Sequence, residues 1–152
     1  MVRPETLAYL AGFVDGEGTI SVGAYGRPSG RYLGVSSLSL YNVDPTVPVL
    51  MKQIFGGSLS IKRGKRPQHK DGYVWQAQGG KAYPAVKLLY PYLTVKRLQA
   101  ENLLDFEEWR QGRRRVLNRG RNGLRGYRRA DHQEILVYAT RSKELNIRGT
   151  AG

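Results

Sequence analysis

The sequence predicts an α+β fold with elements in the order αββαββα, an antiparallel sheet and helices at the C-terminal end. Two pairs of segments alternate apolar and polar residues with the period of a strand, and a segment of helical spacing precedes each pair. Turn residues, chiefly Gly and Pro, separate most neighbouring segments. A chain of 152 residues buries roughly 70% of its unfolded surface, enough for one well-built domain.

Pro4 and Glu5 suit a first helical turn, and Leu7, Ala8, Leu10, Ala11 and Val14 follow at helical spacing. The first helix is therefore expected over 4–14, broken by Asp15-Gly16-Glu17-Gly18. From Thr19 to Arg27, Ile20, Val22 and Ala24 share one face, opposite Thr19, Ser21, Gly23, Tyr25 and Arg27. A turn near Pro28-Ser29-Gly30 leads into a second strand over 31–43, with Leu38 and Leu40 inward. Asp44 as cap and Pro45 as first residue open a second helix that runs to about Phe55 and stops at Gly56-Gly57.

Ser58 to Arg66 alternates again, with Leu59 and Ile61 inward, and a basic turn over 64–72 follows. In the fourth strand, Tyr73, Trp75 and Ala77 oppose Val74, Gln76 and Gln78. A helix over 81–90 ends at Pro91, and a stripe of Val95, Leu98, Asn102, Phe106 and Trp109 marks the next, to about Arg113. Residues 110–129 hold nine arginines, no acid, and Gly120, Gly123 and Gly126, and read as a flexible basic segment. Asp131 to Glu134 has capping-box spacing and opens a last helix to about Asn146. Residues 1–113 form the expected core. The basic segment and final helix, 114–152, belong to the same domain.

Lys and Arg number 25 against 12 Asp and Glu, a net charge of +13, which favours polyanionic partners, nucleic acid foremost. With no Cys, disulfide scaffolds, Cys-ligated zinc sites and thiol catalysis are excluded, and two isolated His leave little for a His-based metal site. No signal-peptide pattern is present and no run approaches the roughly 18 apolar residues of a membrane span. The expectation is an intracellular protein without a membrane segment, of prokaryotic cytoplasm or organelle-encoded.

The most informative segment is Leu10-Ala11-Gly12-Phe13-Val14-Asp15-Gly16-Glu17-Gly18. Two carboxylates at the C-terminal end of a helix oppose its dipole, and a divalent cation reverses that sign. Ala8, Ala11 and Gly12 make one helix side small, so that a second copy could pack closely there and bring two Glu17 carboxylates together. That arrangement suits a hard, oxygen-ligated cation of the Mg²⁺ type.

The nonamer resembles the LAGLIDADG motif, and Pro91 to Glu101, Pro-Tyr-Leu-Thr-Val-Lys-Arg-Leu-Gln-Ala-Glu, is similar to a later helix-start segment of the same family. The resemblance spans residues 5 to about 110 and is to single-motif LAGLIDADG homing endonucleases. It implies a homodimer making metal-dependent double-strand cuts in a long pseudo-palindromic DNA site, with Mg²⁺ as cofactor. It implies that Glu17 is a metal ligand and catalytic residue, that Gly16 adds its carbonyl, and that Lys96 lines the site. A polar residue after the second strand completes the family's site, and Asn42 is the candidate for it here. Ala8, Ala11 and Gly12 fall at the dimer interface.

The outward strand residues Ser21, Tyr25, Arg27, Ser60, Lys62, Gln76 and Gln78 are of types that read base edges, while Lys65 and Arg66 suit phosphates. The alternative is an intron maturase or other non-cleaving nucleic-acid-binding protein on the same scaffold, for which intron RNA is a partner. A ribosomal or architectural protein would explain the charge but not the paired acids.

Overall fold

The computed structural model describes residues 1–26, 32–118 and 129–150. Arg27, the expected turn at Pro28-Ser29-Gly30 and the stretch with Gly120, Gly123 and Gly126 lie outside the described residues. The elements are α1 (Pro4–Glu17), β1 (Gly18–Gly26), β2 (Tyr32–Asn42), α2 (Thr46–Phe55), β3 (Ser58–Lys62), β4 (Gly72–Gln78), α3 (Ala82–Leu89), α4 (Arg97–Asn118) and α5 (Arg129–Thr150), with short 3-10 turns flanking α3. The strands form one antiparallel sheet in the order β1-β2-β4-β3.

The strand alternation divides the sheet into two unlike faces. Ile20, Val22, Leu38, Leu40, Trp75 and Ala77 are buried with Leu7, Leu10, Val14, Met51, Val86, Leu103, Phe106 and Ile135 of the helices. Cross-strand pairing lines up the other face in rows: Thr19 with Ser39, Gln76 and Ser58, and Ser21 with Ser37 and Gln78. Two glycines allow close packing under the sheet and at its turn. A Cβ at Gly34 would lie 2.5 Å from the Phe106 ring, and Gly57, at φ +85°, would meet the Gln76 carbonyl at 2.4 Å.

A buried acid joins the sheet to α4. Glu107 accepts from the Ser36 hydroxyl and from the Arg110 guanidinium at 2.7 Å, so its charge is paired and hydrogen-bonded. β1 is an edge strand, and α5 closes its open edge. Ser142 Oγ accepts from the Val22 N–H at 2.9 Å, and Asn146 Nδ2 donates to the Ile20 carbonyl at 3.1 Å.

Several expected boundaries move. α1 does not stop at 14 but continues to Glu17 and passes directly into β1, with Gly18 N–H bonded to the Val14 carbonyl. β3 ends at Lys62 rather than 66, because Asp71 accepts from Gly64 N–H and Arg63 and folds the intervening segment into a loop. Ile61 is 53% exposed despite its core-side register, since β3 is a short edge strand. Of the stripe expected along α4, Asn102, Phe106 and Trp109 pack inward as expected and its first two residues do not. Val95 and Leu98 are exposed, and Gln99, Ala100, Asn102, Leu103, Phe106 and Glu107 face inward. Buried Asn102 donates to the Tyr138 carbonyl of α5 at 3.0 Å. α4 also runs to Asn118, so the basic stretch from Arg110 begins as helix. Among the described residues no helix is long and apolar enough to cross a membrane.

Candidate active site and nucleic-acid face

The end of α1 and the start of α4 meet at Asp15. Its Oδ1 accepts from the Val95 N–H at 3.0 Å and the Lys96 N–H at 2.9 Å, and its Oδ2 from the Thr94 N–H at 2.8 Å. A carboxylate unfavourable at its own helix end is thus favourable at the positive N-terminal end of another. In return, Lys96 Nζ donates to the Asp15 carbonyl at 2.8 Å, a cation against the negative end of α1. Burial pushes the Lys96 ammonium below its ordinary pKa, and the charges of Asp15 and Glu17 oppose that shift.

Glu17, two residues on, is exposed and its carboxylate makes no hydrogen bond among the described residues. It opens into a cleft of about 390 Å³ that also holds Lys96, Gly16, Thr19, Gln99 and Asn146. Thr19 belongs both to this cleft and to the first row of the polar sheet face. Among the described residues no three His, Cys, Asp or Glu side chains come together. With Asp15 occupied by backbone, one chain offers a hard cation a single free carboxylate, Glu17, beside the Gly16 backbone. That donor set fits half of a shared site rather than a closed one.

Not every predicted site residue reaches this cleft. Asn42 lines a separate one of about 250 Å³ with Tyr9, Phe13, Asp44, Thr46 and Val47. Its Oδ1 accepts the Asp44 N–H at 3.0 Å and turns the chain from β2 toward α2. Asp44 in turn accepts the Thr46 N–H at 2.8 Å. Ala11 is fully buried in this chain's own core, while Ala8 and Gly12 are exposed. Nothing lies within 4 Å of a Cβ built at Gly12 or Gly16.

Ser21, Tyr25, Ser60, Lys62, Gln76 and Gln78 share the polar face as expected. Ser21 and Ser37 bond each other at 3.0 Å, and the Lys62 ammonium sits 5.7 Å from the centre of the Tyr41 ring. Lys65 and Arg66 are exposed in the loop between β3 and β4, and Arg27 is outside the described residues. Asp15, Gln99 and Asn146 were not among the predicted site residues. Only Asp15 left a sequence signal, an acid at the wrong helix end.

Neither a family model nor a curated protein sequence matches the chain. Solved structures do. The homing endonuclease I-CvuI, in complex with the I-CreI target, aligns with a TM-score of 0.65 at 20% identity over 93% of this chain and 82% of its own. The fold is that of the LAGLIDADG homing endonucleases. I-TnaI, another homing endonuclease, aligns at 0.55 and 18% identity over 97% and 98% of the two chains. The archaeal intron-encoded homing endonuclease I-Vdi141I, complexed with DNA, aligns at 0.54 and 19% over 91% and 97%. In this LAGLIDADG fold the motif's last acid, Glu17, lies where the helix layer opens onto the strand face.

Proposed function

We propose that the chain is a sequence-specific homing endonuclease that cuts both strands of a long pseudo-palindromic DNA site as a homodimer, with Mg²⁺ as cofactor. The observation that carries this reading is the juxtaposition of Glu17 and Lys96 in one cleft with Thr19, the first residue of the polar sheet row. A backbone phosphate over the cleft would leave the neighbouring bases over the strands. The similar structures include I-CvuI on DNA in the presence of Mg²⁺, where the DNA is not cleaved, and on its own target with Ca²⁺.

Glu17 and the Gly16 carbonyl are the groups that would hold the cation, whose chemistry is to activate a water and stabilise the departing oxygen. Lys96, fixed by Asp15, presents a cation to the phosphate charge. Exposed Ala8, Gly12 and Gly16 leave the α1 surface low enough for a second α1, which would bring two Glu17 carboxylates to one place. The net charge of +13 supplies sequence-independent attraction to the duplex. The whole chain acts as one domain, with 1–113 as core and 114–152 adding basic residues.

Purified protein is incubated with a randomised duplex library and Mg²⁺, and the cut ends are sequenced. The expected result is one recovered pseudo-palindromic site, cut on both strands and uncut in chelator. Retention of duplex or RNA with no cut under any divalent cation would replace this reading with the maturase or other non-cleaving one.

A further inference from the structure

β4 lies between β2 and β3, so its outward side chains stand on the firm middle of the sheet. Two of them, Gln76 and Gln78, are long carboxamides among short neighbours: Ser39 and Ser58 flank the first, and Ser37 the second. Two of these hydroxyls are engaged, Ser37 with Ser21 at 3.0 Å and Ser58 with the Gln76 carbonyl at 3.4 Å. Neither glutamine carboxamide has a hydrogen bond among the described residues. Among the described residues, Lys62 sits over the Tyr41 ring and Arg63 pairs with Asp71 at 3.2 Å.

A free carboxamide offers one donor and one acceptor side by side, the complement of adenine N7 and N6 in the major groove. Residues two apart on a strand are separated by about 7 Å, close to two base-pair steps of about 3.4 Å. We propose that Gln76 and Gln78 set the preference of this face, each reading one adenine, in two A·T pairs at most two steps apart in each half of the bound duplex. This rests on the DNA-cutting reading above and adds to it a feature of the substrate. Gln76 shares its row with Thr19 of the cleft, so its adenine is the one nearer the cut.

The test is repeated selection of bound duplexes from a randomised library in Ca²⁺, using the intact chain, Gln76→Ala and Gln78→Arg. The intact chain is expected to enrich two such A·T pairs per half-site. Gln76→Ala should relax the inner pair by about tenfold, and Gln78→Arg should turn the outer pair to G·C, since arginine pairs with guanine. An enriched motif that both substitutions leave unchanged overturns the inference while DNA recognition stands. No enrichment by any of the three proteins overturns the inference together with the function it rests on.

Discussion

At Lys96, burial and charge act in opposite directions, and burial is the larger influence: the ammonium titrates below its ordinary value of 10.5. With divalent ions chelated, the folded chain therefore holds fewer protons than the unfolded chain between the lowered value and 10.5. Stability must rise with pH across that window, because the unfolded state binds the extra proton. The gain should be absent from Lys96→Met, so urea melts at two alkaline pH values, compared between the two proteins, isolate it from other titrating groups. An identical pH response in both would mean that Lys96 is not desolvated as described. Glu17 and Lys96 were legible in the sequence because a motif carries them. Asp15 was legible only as an anomaly, since its three N–H donors come from 94–96, some eighty residues away.

Among the elements, α5 has the least obvious sequence rationale and a clear structural task. Its Ser142 and Asn146, one turn apart, satisfy the Val22 N–H and Ile20 carbonyl at the open edge of β1. Replacing both by Ala leaves two backbone groups without these partners and should cost about 1–3 kcal/mol in urea unfolding. Hydrogen exchange at Val22 should quicken by more than exchange at Leu38, in the sheet interior. Equal quickening would mean that α5 contributes only general packing. Strand faces were readable from alternation, because a period of two survives in tertiary context wherever one side is buried. The inward face of α4 was readable only in part. The expected stripe included Asn102, Phe106 and Trp109, which do pack inward, but also Val95 and Leu98, which are exposed, and it left out buried Glu107, whose Ser36 partner is distant in sequence.

For the whole molecule, the proposed function requires assembly. Among the described residues, one chain brings one free carboxylate to its cleft, and the exposed small residues of α1 lie on the same helix. Gly12→Leu should leave the single chain as stable as before or better by up to about 1 kcal/mol, because glycine is a poor helix former and a Cβ there meets nothing. The same change should prevent two α1 helices from approaching. Sedimentation of the variant is expected to give one chain where the parent gives two, with double-strand cutting lost. A fully active Gly12→Leu dimer would place the interface elsewhere.

The claim on which the rest depends is that Glu17 serves chemistry and not folding. On the site recovered from the library, Glu17→Gln is compared with the intact chain for binding in Ca²⁺ and for cutting in Mg²⁺. Unchanged binding with cutting reduced by at least about a thousandfold, the scale of losing a metal ligand's charge at a reacting phosphate, is the predicted result. Mg²⁺-dependent cutting by Glu17→Gln at the parental rate would contradict it.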